Sequence, residues 1–118
     1  MQAETPISSD LIRGHIDTMI LRVLSEGDNY GYEIIKSIFE QSNGKFELKE
    51  PSLYTSLKRL EKQKLIFAYW GDESQGGRRK YYKITPSGEG AYEQAIEAWA
   101  AAKELIDQLI IRGGKSNE

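Results

Sequence analysis

Pro51-Ser52-Leu53-Tyr54-Thr55-Ser56-Leu57-Lys58-Arg59-Leu60 is followed by Leu65-Ile66-Phe67-Ala68-Tyr69-Trp70 and then, past Gly71 to Gly77, by Arg78-Arg79-Lys80-Tyr81-Tyr82-Lys83-Ile84. The reading of this stretch decides the fold of the 118-residue chain. In the first segment apolar residues stand at 53, 57 and 60, which is one face of a helix. Pro51 suits the first helical position, where its missing N–H costs nothing. The opposite face offers Thr55, Lys58 and Lys62, flanked by Tyr54 and Arg59. The second and third segments alternate like strands, and a polar, glycine-rich turn separates them. A polar-faced helix followed by a basic hairpin is the pattern of a winged helix-turn-helix, in which one element enters the major groove and the other reaches along the backbone.

The overall charge of −2 argues against nucleic acid, but its distribution reverses the argument. Residues 45 to 83 hold ten Lys/Arg against five Asp/Glu, a net of +5, and the remainder holds six against thirteen, a net of −7. A binding face needs local positive potential, not a basic whole. A charge run is often only a solvated face. Here it coincides with a helix–hairpin pattern, which favours double-stranded DNA as the partner.

Outward from this stretch, Leu11 to Ser25 reads as a first helix, with Leu11, Ile12, Ile16, Met19, Ile20, Val23 and Leu24 as its apolar stripe. Gly27-Asp28-Asn29 reads as a turn, and Tyr30 to Ser42 as a second helix stopped by Asn43-Gly44. Phe46-Glu47-Leu48 alternates and predicts a short strand beside the hairpin. The third helix runs from Pro51 to about Gln63. Thr85 and Pro86 form the N-cap and first turn of a last helix that runs to about Ile111. The fold class is mainly α with a small β-hairpin (α+β): a winged helix-turn-helix over residues 11–85 and an additional C-terminal dimerisation helix over 86–112. Flexible ends are expected at 1–10 and 113–118.

The last helix carries its own rhythm. Tyr92, Ala95, Trp99, Ala102, Ile106 and Leu109 recur at three- and four-residue spacing, and Ile96 widens the stripe. Such a seam predicts a partner helix and hence a homodimer. Packing on the chain's own first helix is the alternative, and the two are compatible. The expected interface is Ile12, Ile16, Met19, Tyr92, Ile96, Trp99, Ile106 and Leu109.

The DNA-facing candidates are Ser52, Tyr54, Thr55, Lys58 and Arg59 on the helix and Gly77, Arg78, Arg79 and Lys80 on the wing. Ser52 lies near a helix N-terminus, where hydroxyl and backbone N–H groups meet phosphate. Glycine lets backbone approach a phosphate closely, and arginine at a wing tip suits a narrow minor groove. Tyr82 and Ile84 are expected to face the core, alternating with Lys83. With no cysteine, one histidine and no phosphate-cradling loop, the chain offers no catalytic constellation, no metal site and no cofactor motif. No run is apolar and long enough for a membrane span, and the absence of cysteine fits a cytoplasmic location.

Arg13-Gly14 at an apolar first helix, Gly27-Asp28-Asn29-Tyr30-Gly31-Tyr32-Glu33-Ile34, Leu53-Tyr54-x-x-Leu57-x-Arg59-Leu60-Glu61-x-x-x-Leu65-Ile66 and Gly76-Gly77-Arg78-Arg79-Lys80-Tyr81-Tyr82-x-Ile84-Thr85 together resemble the PadR family of transcriptional regulators. The resemblance covers roughly residues 11 to 110. One short C-terminal helix resembles the small subfamily that contains multidrug-binding repressors. The resemblance implies a dimeric repressor that reads a near-palindromic operator. It also implies a planar aromatic or hydrophobic small molecule stacked on Trp99 at the dimer interface; Ala95 and Ala102, which leave room beside the ring, and Lys103 and His15 complete the ligand-site candidates. Lys103 stands where that subfamily has an acidic residue, a departure that works against a cationic ligand.

Overall fold

The computed structural model describes residues 6–71 and 78–113. Its elements are α1 (Ser9–Arg13), α2 (Ile16–Ser25), β1 (Asn29–Tyr30), α3 (Gly31–Gln41), α4 (Glu50–Lys62), β2 (Ile66–Trp70), β3 (Lys80–Ile84) and α5 (Pro86–Ile110). The fold is mainly helical with one small antiparallel sheet, in the strand order β1-β3-β2.

The core lies where α2, α3 and α4 meet one face of the sheet. Ile20 and Leu24 of α2, Ile34 of α3, and Leu53, Leu57 and Leu60 of α4 are all at most 2% exposed. Leu48, Ile66, Tyr82 and Ile84 close the same cluster. In β3, Tyr82 and Ile84 point inward and Lys83 outward, as strand alternation requires. In the hairpin, Ile66 pairs with Ile84, Ala68 with Tyr82 and Trp70 with Lys80, while Phe67–Lys83 and Tyr69–Tyr81 pair on the outer face.

Three local expectations are corrected. The first helix is not continuous: it breaks at Gly14-His15 into α1 and α2, where the Gly14 N–H bonds back to Ile12 O. Phe46-Glu47-Leu48 is not a strand. Its burial does alternate, with Glu47 exposed between half-buried Phe46 and buried Leu48. However, the Phe46 N–H donates to Ser42 Oγ at 3.0 Å and the Ser42 hydroxyl lies 3.4 Å from Phe46 O, so both backbone groups are engaged away from the sheet. The third strand is instead β1, drawn from the expected turn, with Asn29 opposite Tyr82 and Tyr30 opposite Tyr81.

The last helix starts as its cap predicts. The Gly88 N–H donates to Thr85 Oγ1 at 3.0 Å, and the Thr85 N–H donates to Leu65 O at 3.0 Å. Gly88 is buried against the base of β2, where a Cβ would overlap the Leu65 carbonyl oxygen. α5 then packs along α2 and leaves the body. From Ile96 to Ile110 every residue of α5 is exposed. The radius of gyration is 17.1 Å, against roughly 13 to 14 Å for a compact domain of this length. Among the described residues, no helix is long and apolar enough to cross a membrane.

Candidate nucleic-acid interface

Helix α4 sorts its residues cleanly. Leu53, Ser56, Leu57 and Leu60 are buried, and Ser52, Tyr54, Thr55, Lys58, Arg59 and Lys62 are exposed. Lys58 forms no ion pair among the described residues and projects from the exposed face. The Thr55 hydroxyl donates to Pro51 O at 2.9 Å, which leaves its methyl and its oxygen lone pairs outward. Tyr54 is 45% exposed but leans on α3: its hydroxyl would collide with any Cβ at Gly31. The ring thereby spaces the N-terminal turns of the two helices.

Arg59 is differently employed. Its Nε and Nη2 each donate to an Asp17 carboxylate oxygen at 2.8 Å, and Nη2 also reaches Ser56 Oγ at 3.2 Å. Burial pushes the Asp17 carboxyl up, but hydrogen bonds from Arg59 and Ser56 and the guanidinium charge outweigh it and hold the group below the usual carboxylate range. Arg59 therefore joins α4 to α2 and does not stand among the outward-directed cations of the face.

The wing presents its cations on aromatic rings. The Arg78 guanidinium lies 5.3 Å from the Trp70 ring centre, Arg79 lies 4.6 Å from Tyr30, and Lys80 Nζ lies 6.0 Å from Tyr82. Such contacts hold a cation in a preferred direction while leaving its charge intact. The backbone continues the hairpin past Trp70 through Gly71 N–H to Arg79 O at 2.7 Å. On the outer face Tyr30, Tyr81, Tyr69 and Phe67 form a row of rings, with the Tyr69 hydroxyl donating to Asp28 at 2.5 Å and Lys83 Nζ 3.7 Å from the same carboxylate. The candidate Gly77 lies outside the described residues. The sequence reading missed Tyr30 and Trp70 as supports of the wing cations. Their signal was only an aromatic residue beside a cation or at a helix start.

At the other end, the structure brings His15 and Trp99 together, ring edge to ring face at 4.7 Å. Trp99 is 48% exposed, Ala95 half-buried and Ala102 exposed. Lys103 points its ammonium toward Asp107, 3.5 Å away. Ile12, Ile16, Met19 and Tyr92 are half-buried, and Ile96, Ile106 and Leu109 are 44%, 46% and 72% exposed. Of the residues expected at the seam, Ile16, Met19 and Tyr92 thus pack against the protomer's own core, whereas the outer ones on α5 are exposed. Among the described residues no cluster of His, Asp or Glu is placed to hold a metal ion.

The family model described as "Transcriptional regulator PadR-like family" matches residues 20–94. A protein of Lysinibacillus sphaericus is 48% identical over 101 residues, which cover 86% of this chain and 93% of that protein. Transcriptional regulator YqjI of Escherichia coli is 31% identical over 82% of this chain, and the matched region spans 43% of its own length. Among solved structures, a transcriptional regulator from Clostridium thermocellum superposes with a TM-score of 0.81 at 46% identity, covering 88% of this chain and 98% of that one. A PadR family transcription regulator from Clostridium difficile gives 0.69 at 38% identity, covering 82% and 99%.

Proposed function

The chain belongs to the PadR-like family of transcriptional regulators, which are not enzymes, and we propose on that premise that it is a homodimeric, sequence-specific DNA-binding repressor. One observation carries the reading: the exposed face of α4, with Ser52, Thr55 and Lys58, shares its core with a wing whose arginines are seated on Trp70 and Tyr30. The helix supplies base-edge contacts in the major groove, and the wing cations supply phosphate or minor-groove contacts. The dimer reading is supported by the apolar face of the outer half of α5, where Ile96, Leu105, Ile106 and Leu109 are exposed. A two-fold pair presents two recognition helices, so the preferred site is a near-palindrome with half-site centres about one duplex turn apart.

Trp99 supports a planar hydrophobic effector held at the seam between two protomers, with Ala95 and Ala102 leaving room beside it. A second reading, a regulator with no small ligand, is favoured by His15, whose ring already lies against Trp99.

Duplexes selected from a random pool test the DNA reading. Lys58→Ala weakens binding to the selected duplex, and the Arg78→Ala/Arg79→Ala double variant also flattens the salt dependence, by about one unit of slope for each phosphate no longer neutralised. Variants that bind like the parent at every salt concentration would count against these residues as the DNA contacts, and a parent whose binding does not fall with salt would leave a winged-helix protein-interaction module as the better description. Trp99→Ala tests the effector: it abolishes fluorescence quenching by planar aromatic compounds and their effect on DNA affinity while leaving dimerisation in place. Equal compound affinity in parent and variant returns Trp99 to a packing role.

A further inference from the structure

Helices α2 and α4 meet mainly through aliphatic side chains, Ile20 and Leu24 against Leu53, Leu57 and Leu60. Aliphatic contacts resist separation but tolerate small rotations, because they have no preferred direction. Among the described residues, the side-chain polar bonds between these two helices converge on Asp17: the two-pronged fork from Arg59 and a hydrogen bond from Ser56. Two parallel N–H···O bonds between planar groups fix direction as well as distance. Asp17 stands in the first turn of α2, two residues past His15. The His15 ring lies on Trp99 of α5. On α4, Arg59 immediately follows Lys58 and lies one turn beyond Thr55, so its position sets how those side chains are aimed. An acid in a helix's first turn also answers the helix dipole, but that role needs no fork.

We propose that Asp17 is a positioning residue for DNA reading: its fork with Arg59 fixes the orientation of the recognition helix against α2 and ties that orientation to the His15–Trp99 contact at the seam. The inference rests on the DNA-binding reading above. Asp17 also withholds the Arg59 charge from phosphate, so the arginine contributes geometry in place of affinity. A change at the seam that tilts the start of α2 moves the carboxylate, and the fork carries that movement to α4. Only a seam state that binds one tilt better than another will shift DNA affinity through this path.

The experiment compares full-length parent, Asp17→Asn and Arg59→Lys on a selected duplex and on a scrambled duplex of equal length. Asp17→Asn removes a negative charge beside a basic face. If the carboxylate acts only as a charge, both duplexes are bound more tightly and their affinity ratio is unchanged. Positioning predicts that the ratio falls by about tenfold, the discrimination of one well-placed contact, while scrambled-duplex affinity holds or rises. Arg59→Lys keeps the charge but loses the fork, and the same fall is expected. If Asp17→Asn instead tightens the selected duplex alone, the freed Arg59 reads a base edge directly and the inference is overturned.

A second readout follows the Trp99 emission as the difference between each chain and its Trp99→Phe counterpart, with Trp70 left in place under Arg78. Operator binding shifts this emission in the parental chain, and Asp17→Asn removes at least half of that shift. No shift in the parental chain, or an equal shift in both, overturns the link to the seam. A parent without sequence preference overturns the DNA reading and this inference together, whereas a selective parent with equally selective variants overturns the inference alone.

Discussion

On α4, Leu53, Leu57 and Leu60 recur at helical spacing and are at most 1% exposed, whereas on α5 Ile106 and Leu109, spaced in the same rhythm, are 46% and 72% exposed. Both regions carry an apolar stripe, yet among the described residues the first is covered and the second is not. The body has three helices and a sheet to close around a single core. The outer half of α5 is exposed among the described residues, and burying a fully exposed Leu or Ile there would contribute about 1.5–3 kcal/mol. Periodicity therefore reports that a face needs cover. Only the topology reports whether the cover comes from the same chain.

The largest test of this contrast is a charge placed in the exposed stripe. Ile106→Asp should dissociate the proposed dimer, since burying an unpaired carboxylate costs several kcal/mol. The circular dichroism of the body should change little. Sedimentation equilibrium reads the outcome, and an intact dimer would show that the α5 face is not the seam. The converse is Leu57→Ala in the covered region, where about 2–5 kcal/mol is lost to a cavity. Its denaturant midpoint should fall at dilutions where Ile106→Asp and parent behave alike. A loss that appears only in the dimer would break the claim that the body is self-sufficient.

The next effect belongs to Tyr82. Burial chiefly, then the neighbouring Glu61 and Tyr54, push its hydroxyl up to about 12. The unfolded chain ionises at the ordinary value of 10.0, so the fold keeps its full stability below pH 10 and loses it as pH rises toward 12. The loss amounts to about 2–3 kcal/mol across that window. Tyr82→Phe should remove this part of the alkaline transition, and an unchanged titration of stability would show that the hydroxyl is not as enclosed as the core around it. The smallest effect is at the junction of the two regions. Thr85→Ala removes the α5 N-cap and should cost ~1 kcal/mol by denaturant unfolding. Indistinguishable midpoints would mean that burial at Gly88 alone anchors the helix.

Much of the body was legible because local signals and tertiary packing agree there. Apolar positions 53, 57 and 60 predicted a buried face, and the alternation of β3 placed Tyr82 and Ile84 inward. The break at Gly14-His15 was hidden because the apolar stripe continues across it through Ile12 and Ile16, and α1 buries no residue that would mark its own end. β1 was hidden for another reason. Asn29 and Tyr30 lie in a turn-like sequence, and they become a strand only because Tyr81 and Tyr82 arrive from far along the chain. Phe46 to Leu48 carries a true alternation of burial without the hydrogen bonds of a ladder, which shows that the pattern reports a face and not a partner. In the candidate interface, the cations were visible in the sequence but their seats were not. The Arg59–Asp17 fork spans 42 positions and leaves no trace in either segment's composition.

The close approach of Gly88 to the Leu65 carbonyl gives α5 a fixed pivot at one end. A helix of 25 residues is a lever ~37 Å long. A tilt of about 5° at that pivot sweeps its far end through ~3 Å, and in a two-fold pair the displacement is repeated with opposite sense. A side chain at residue 88 would therefore act less as a packing defect than as a change of gauge: it would reset the distance between two reading heads while leaving each head intact.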